Sequence, residues 1–168
     1  MELAGTRTAA GCRFAVVVSR FNEEITEGLL AGARRALAEA AVPDDQITIA
    51  RVPGSFEIPV TAQRLAKTGQ FDAVICLGCL IKGETMHFEY LADATCHGIA
   101  AAARETGVPM AFGVLTALTE AQAEARAADG PDNKGREAAL AAVEMATLFG
   151  SLRQAERQGV RPAGTGAG

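Results

Sequence analysis

The sequence has no apolar run that approaches the roughly 20 residues needed to span a membrane, and its first residues lack the apolar stretch of a secretory signal. We therefore expect a cytoplasmic protein that has no membrane contact. A basic stripe is also absent, because acidic and basic residues are interspersed and the formal net charge is −4. Since binding to nucleic acid depends on clustered positive charge, nucleic acid is not an expected partner.

Signatures of metal, redox and nucleotide sites are missing as well. Cys76 and Cys79 form a CxxC pair, but only Cys96 and His97 remain to complete a zinc ligand set. A thioredoxin-type pair begins a helix, whereas this pair crosses the end of a predicted strand. The sequence contains neither GxGxxG nor a Walker A motif. We therefore expect no metal, no cofactor and reduced cysteines that pack as small hydrophobic residues.

Apolar runs alternate with helical patterns along the chain. The runs at residues 14–19, 46–52, 72–77 and 110–115 predict four strands, and a last helix is predicted from about residue 134 to residue 152. Because two of these runs are apolar on successive residues, both faces of the sheet should be covered by helices. We predict one doubly wound α/β domain over residues 12–155. The Gly- and Ala-rich ends, residues 1–11 and 156–168, have little to bury and are predicted to be flexible.

Two helix starts carry capping signals. Asn22 is predicted to cap the first helix, with acidic residues in its first turn, and Thr119 with Gln122 forms a capping-box pair for a later helix. The first of these caps directly follows a predicted strand, where ligands of doubly wound folds gather.

The strongest candidate site follows the third predicted strand, at residues 78–87. Gly83, Glu84 and Thr85 lead into a helix whose free backbone N–H groups and dipole form an anion site. Thr85 adds a hydroxyl donor, and His87 follows about half a turn later. This order favours a phosphorylated small substrate on which His87 moves protons. The alternative is that Gly83 turns the chain, Thr85 caps the helix and His87 is a surface residue, and spacing alone does not decide between them.

Other candidates have equally simple structural interpretations. Phe21 can stack on a planar heterocycle or plug the junction of helix and sheet, and plugging is the default. Residues 54–57 can offer a carboxylate to ligand hydroxyls or only complement a helix dipole. Phe112 fits an ordinary core position. Arg126 and Lys134 can clamp an anion or lie on a solvated face, which is the commoner situation.

Six segments between about Phe14 and Leu152 resemble the lumazine synthase family of riboflavin biosynthesis. They are SRFN, PGSFEIP, GCLIKGETMHFEY, PMAFGVLT, EAQAEARA and DNKGREAALAAVEM, and the third is the most specific. The resemblance implies a three-layer αβα sandwich with a four-stranded, mainly parallel, flavodoxin-like sheet. It also implies a cofactor-free condensation of 5-amino-6-(D-ribitylamino)uracil with 3,4-dihydroxy-2-butanone 4-phosphate, which gives 6,7-dimethyl-8-ribityllumazine, phosphate and water.

The resemblance assigns roles to individual residues. His87 is implied to transfer protons during imine formation and phosphate elimination. The residues assigned to the pyrimidine and its ribityl chain are Phe21, Ser55, Phe56, Glu57, Cys79, Leu80, Ile81 and Phe112. Those assigned to the butanone phosphate are Glu84, Thr85 and Arg126.

Partners also follow from the resemblance. The family's basic unit is a homopentamer with sites between neighbours, so Phe112 and Arg126 are expected to enter the pocket of an adjacent copy. Riboflavin synthase is a further implied partner. Residues 117–118 and 128–132 are the least similar to the family. These differences affect what the resemblance implies about how the copies assemble. Two rival interpretations are a non-catalytic flavin or lumazine carrier and a structural shell protein.

Overall fold

The strands and helices alternate along the chain in the computed structural model, which describes residues 2–159. The strands are β1 (Phe14–Ser19), β2 (Ile47–Val52), β3 (Ala73–Ile81) and β4 (Met110–Ala117). The helices are α1 (Glu23–Glu39), α2 (Ile58–Ala66), α3 (His87–Thr106), α4 (Glu120–Ala127) and α5 (Lys134–Arg157). Two short 3₁₀ turns, Asp44–Gln46 and Ser55–Glu57, precede β2 and α2.

The four strands form one parallel sheet in the order β2-β1-β3-β4. Phe14 of β1 lies opposite Ile47 of β2 and Ala73 of β3, and Val74 of β3 lies opposite Met110 of β4. Because parallel strands need a crossover, a helix connects each strand to the next. The predicted α/β fold and its four-stranded parallel sheet are therefore confirmed.

Two separate hydrophobic clusters cover the two faces of the sheet. Val16 and Leu77 belong to the cluster on the side of α1, α4 and α5, and Val17 and Cys76 belong to the cluster on the side of α2 and α3. Successive residues of a strand point to opposite faces, so every residue of β1 is buried although its neighbours face different helices. Gly135 allows α5 to approach α1 closely, because a Cβ there would lie 1.9 Å from the Leu29 carbonyl oxygen.

The third strand is longer than predicted. It continues past residue 77 to Ile81, because Cys79, Leu80 and Ile81 pair with the end of β4, which itself extends to Ala117. Gly78 was predicted to follow the strand directly, but it lies inside the strand. The prediction that residues 79–81 form part of the loop after the strand is therefore wrong.

The predicted helix caps differ in detail from the structure. Asn22 precedes α1 but makes no side-chain cap, because its backbone is left-handed (φ 58°) and its Nδ2 donates to the Cys79 carbonyl at 3.0 Å. The hydroxyl of Thr119 accepts from the Gln122 N–H at 3.3 Å, as expected. The Gln122 side chain accepts from Leu118 N–H rather than from Thr119 N–H, so only half of the predicted capping box forms.

The two ends of the described chain pack more than their composition predicted. Ala9 is buried and its N–H donates to the Ala40 carbonyl at 2.8 Å, while the Thr6 N–H donates to the Thr147 hydroxyl at 2.9 Å. At the other end α5 extends beyond residue 152 to Arg157. The flexibility predicted for residues 1–11 and 156–168 stays a prediction, and residues 160–168 lie outside the described residues.

Cys76 and Cys79 lie inside β3 as buried, free thiols. Burial raises the pKa of Cys76 to about 12 and that of Cys79 to about 11, so both are protonated at neutral pH. Among residues 2–159, no three or more His, Cys, Asp and Glu side chains gather as a metal site would require. Over the same residues, no helix combines the length and the hydropathy needed to cross a membrane.

Candidate functional site

A cavity of about 540 Å³ opens at the carboxyl end of the sheet, where β1, β2 and β3 lead into their helices. This is the edge at which doubly wound folds bind ligands. Its lining residues are Phe21, Pro53, Gly54, Ser55, Phe56, Glu57, Leu80, Ile81, Gly83, Thr85, His87, Phe88 and Leu91. Most of the residues assigned by resemblance to the pyrimidine and the ribityl chain thus share one cavity with Thr85 and His87.

Phe21 forms one wall of this cavity. Its side chain is 68% exposed, so the default interpretation that it plugs the junction of helix and sheet is wrong. Two hydrogen bonds fix its backbone: the Phe21 N–H donates to the Pro53 carbonyl at 3.1 Å, and the neighbouring Asn22 side chain donates to the Cys79 carbonyl. The ring therefore presents an apolar face for a planar ligand. Contacts with the ends of β2 and β3 hold the backbone segment that carries the ring.

A second wall is the turn Ser55–Glu57. One carboxylate oxygen of Glu57 accepts from the Gly54 N–H at 2.9 Å, which closes the turn and leaves the other oxygen for a ligand hydroxyl. The buried Thr95 of α3 donates from its hydroxyl to the Ser55 carbonyl at 3.3 Å. Phe56 is 61% exposed beside the cavity. The turn is thus tied to the same helix that begins with His87.

The end of β3 forms the base of the cavity. Leu80 and Ile81 line the cavity, but Cys79 does not, because its side chain is buried in the hydrophobic cluster on the side of α1 and α5. The Cys79 carbonyl already accepts from Asn22. The structure therefore brings Leu80 and Ile81 to the cavity. Cys79 instead holds the segment that carries Phe21, through the hydrogen bond that its carbonyl accepts from Asn22.

The segment between β3 and α3 carries the candidate anion site. Gly83 and Thr85 line the cavity, whereas Glu84 is exposed and is not among the lining residues. His87 is the first residue of α3, and its N–H lies 3.5 Å from the Thr85 hydroxyl, which is at the long limit of a hydrogen bond. The residue before the helix, Met86, makes no side-chain cap. The first N–H groups of α3 are therefore available to an anion next to an exposed imidazole.

Phe112 and Arg126 lie elsewhere, beside a second cavity of about 390 Å³ that shares no lining residue with the first. Lys134 lines it too. Phe112 is 46% exposed on the edge strand β4, so its interpretation as an ordinary core residue is wrong. Asn133 holds the α4–α5 connection, because its buried side chain donates to the Gly28 and Ala127 carbonyls at 3.0 and 2.8 Å. Within one chain, neither Phe112 nor Arg126 lines the cavity that contains His87.

Sequence reasoning missed three contributors to the site. Phe88 and Leu91 line the first cavity, although the sequence pattern assigned them no role there. The two residues are three positions apart near the start of α3, which puts both side chains on one face of the helix. That spacing is the signal that could have shown that both face the cavity. Asn22 was missed as a support for Phe21, and no pattern in the sequence reveals its left-handed backbone.

Substitutions of Asn22 should separate its backbone conformation from its hydrogen bond. Asn22→Gly keeps the left-handed conformation and loses only the bond to Cys79, so we expect the free energy of unfolding to fall by about 1 kcal/mol. Asn22→Asp places a carboxylate against the Cys79 carbonyl, and a loss of about 2 to 3 kcal/mol is expected. Urea unfolding of wild type and of both variants measures the two losses in the free energy of unfolding and shows which is larger. Equal stability of wild type and Asn22→Asp would show that the hydrogen bond contributes nothing.

Comparisons with known proteins agree with this geometry. A family model described as 6,7-dimethyl-8-ribityllumazine synthase matches residues 11–150. A protein of that name from Salinibacter ruber is 51% identical over 151 residues, which cover 90% of this chain and 97% of the relative. The match includes β1 to β4 and every residue assigned above to the two cavities. The chain belongs to the 6,7-dimethyl-8-ribityllumazine synthase family.

Proposed function

We propose that this protein is a cofactor-independent transferase of riboflavin biosynthesis. It condenses 5-amino-6-(D-ribitylamino)uracil with 3,4-dihydroxy-2-butanone 4-phosphate and releases 6,7-dimethyl-8-ribityllumazine, phosphate and water. The observation that carries the proposal is the first cavity, in which an exposed aromatic ring, a carboxylate turn and an imidazole beside an uncapped helix surround one space. Family membership supports the same reaction.

Each wall of the cavity has a part in substrate binding. Phe21 stacks on the pyrimidine, and Leu80 and Ile81 offer apolar side chains and backbone groups to its edge. The free oxygen of Glu57 and the hydroxyl of Ser55 accept or donate hydrogen bonds to the ribityl hydroxyls. This arrangement directs the 5-amino group of the pyrimidine towards the segment between β3 and α3.

The phosphate of the second substrate binds at the start of α3. The free N–H groups of the first turn and the Thr85 hydroxyl donate to its oxygens, and the helix dipole favours its negative charge. The ketone carbon then lies within reach of both the 5-amino group and His87. Glu84 is exposed and does not line the cavity, so we assign it no direct contact with the phosphate.

His87 handles the protons of the reaction. Attack of the 5-amino group on the ketone forms a carbinolamine, and His87 protonates its hydroxyl so that water leaves and an imine forms. Removal of a proton next to the imine then allows the C–O bond to the phosphate to break, and phosphate leaves with the electron pair. Closure of the second ring releases another water. Histidine is the side chain that most often serves as both acid and base in such sequences.

A neighbouring copy completes the site in this proposal. Phe112 and Arg126 lie beside the second cavity, and Phe112 is 46% exposed on an edge strand, which fits a surface that meets another chain. We propose a homopentamer in which these two residues enter the first cavity of the adjacent copy. A cytoplasmic location and riboflavin synthase as a partner are further parts of the proposal.

The test is to mix the protein with both substrates and to follow the fluorescence of the lumazine product. Turnover above the uncatalysed rate is expected, without added metal or cofactor. Tight binding of the product without turnover would favour the carrier interpretation and contradict the proposed enzyme. Light scattering on the same sample measures whether its mass is that of five chains or of a larger assembly.

A further inference from the structure

An ion pair spans the segment that carries the candidate catalytic residue. Lys82 directly follows β3, Glu89 lies in the first turn of α3, and the Lys82 Nζ is 3.0 Å from the Glu89 Oε1. The residues between them include Gly83, Thr85 and His87, which all line the first cavity. We call residues 82–89 the His87 loop. The pair therefore joins the two ends of a short segment that faces the substrates.

Few other contacts hold this loop in place. Its ends are fixed by two backbone hydrogen bonds, from Lys82 N–H to the Ala117 carbonyl at 2.9 Å and from Tyr90 N–H to the Met86 carbonyl at 3.2 Å. Within the part of the chain that the structure describes, the one hydrogen bond of residues 83–85 is the long bond that the Thr85 hydroxyl accepts from the His87 N–H at 3.5 Å. Residues 82–87 are all exposed, so burial of apolar side chains does not fix them either.

The carboxylate of Glu89 depends on Lys82 for its partner. Its Oε2 is buried and has no hydrogen-bond partner in the described residues, so the charge of this side chain is neutralised mainly through Oε1 and Lys82. The hydrogen bond from Lys82, followed by one from the Glu89 backbone N–H, lowers the pKa of Glu89 below its ordinary value. The carboxylate of Glu89 is thus ionised at neutral pH.

We propose that Lys82 and Glu89 are positioning residues, which hold the His87 loop so that Thr85 and His87 stand at the reacting end of the substrates. The proposal rests on the proposed function. Neither residue lines the cavity, so neither is expected to touch a substrate. A displacement of about 1 Å at a catalytic group can cost about 10²-fold in rate, whereas an exposed ion pair contributes little to global stability. Loss of the pair should therefore change catalysis more than folding.

The experiment compares Lys82→Met, Glu89→Gln, the double variant and Lys82→Arg in the full chain. We expect each neutral variant to lower kcat/KM for the butanone phosphate about 10-fold, with the KM for the uracil changed less than about 2-fold. The double variant should be no worse than either single one, because both remove the same interaction. Lys82→Arg keeps the pair and should keep most of the activity.

Lys67 provides a matched control. It forms a similar ion pair with Glu105 at 2.7 Å, with side chains 50% and 57% exposed, and neither residue lines the first cavity. Lys67→Met should leave the kinetics unchanged. The melting temperature of Lys67→Met and Lys82→Met should differ by less than about 4 °C, as expected for exposed pairs in a chain of this size.

Hydrogen exchange gives a measurement that does not depend on turnover. The Tyr90 N–H, which donates to the Met86 carbonyl, and the next hydrogen-bonded amides of α3 should exchange faster in Lys82→Met and in Glu89→Gln than in wild type, and at the wild-type rate in Lys82→Arg. Slower turnover in Lys82→Met but not in Glu89→Gln would overturn the proposal, because Lys82 would then act directly on the phosphate. Unchanged exchange in both variants would overturn it as well. An inactive wild-type protein would overturn the proposed function, and exchange would still decide whether the pair orders the loop.

Discussion

His87→Ala is expected to lower kcat by about 10²- to 10⁴-fold, the usual contribution of a general acid and base. The side chain lies at the start of α3, exposed and lining the first cavity beside Thr85. Removing it leaves the pyrimidine wall formed by Phe21 and Ile81 intact, so the affinity for the uracil should change little. Single-turnover fluorescence measures the chemical step, and titration with the uracil alone measures its binding.

His97→Ala is the matched control, because the protein has two histidines and both lie on α3. His97 is exposed and its Nδ1 lies 3.1 Å from a carboxylate oxygen of Asp93, outside the first cavity. This variant should keep wild-type kinetics. Turnover unchanged in His87→Ala would remove the proton-transfer role. Residual activity is expected even so, because holding the two substrates in register can supply roughly 7 to 11 kcal/mol of the barrier reduction.

Arg126→Ala should raise the KM for the butanone phosphate by about 10-fold or more and the KM for the uracil by less than about 2-fold. A charge-assisted hydrogen bond to phosphate contributes about 1.5 to 3 kcal/mol, and 1.4 kcal/mol corresponds to a factor of ten. One guanidinium nitrogen of Arg126 donates to the Gln122 carbonyl at 2.9 Å, which leaves its other donors for an anion. Steady-state kinetics with each substrate varied in turn measures the difference.

Arg126→Lys separates charge from geometry, since lysine keeps the positive charge but loses the planar fork. We expect it to fall between wild type and Arg126→Ala. Equal effects of Arg126→Ala on both substrates would argue against a phosphate contact.

A mixture of variants tests whether Arg126 acts in a neighbouring copy. His87→Ala and Arg126→Ala chains are unfolded, mixed and refolded together, so that they assemble at random. Where an Arg126→Ala chain supplies His87 and its neighbour supplies Arg126, a complete site forms, and activity should exceed that of either variant alone. No recovery would show that Arg126 acts on the cavity of its own chain, contrary to the two separate cavities seen here.

The sheet could be predicted from the sequence because its signals are local. β1 is apolar at nearly every residue, and the structure buries all six of its residues. The end of β3 could not be placed, because Gly78 is typical of a turn and only its packing shows why a glycine is needed inside the strand. At Asn22 the side chain binds the Cys79 carbonyl 57 residues away, a contact that no local capping pattern contains.

Exposure of the aromatic residues depends on the order of the strands, which the sequence does not state. Phe112 has the apolar neighbours of a core residue, yet β4 lies at the edge of the sheet and its side chain is 46% exposed. Phe21 is similar, because it closely follows a fully buried strand and yet its side chain is 68% exposed. Motif resemblance did place Phe21, Ser55, Glu57 and His87 together, and the structure brings these four to one cavity.

The close approach at Gly78 has a consequence for which ligands fit. A Cβ at this position would lie 2.8 Å from the Ser55 Oγ and 2.9 Å from the Ile58 Cδ1, so the strand touches the turn that forms one wall of the cavity. Any larger residue at position 78 would press on Ser55 and Ile58 and would displace the turn that carries Glu57. A strand residue that does not line the cavity thus sets how close that wall stands to the sheet, and with it the width left for a ligand.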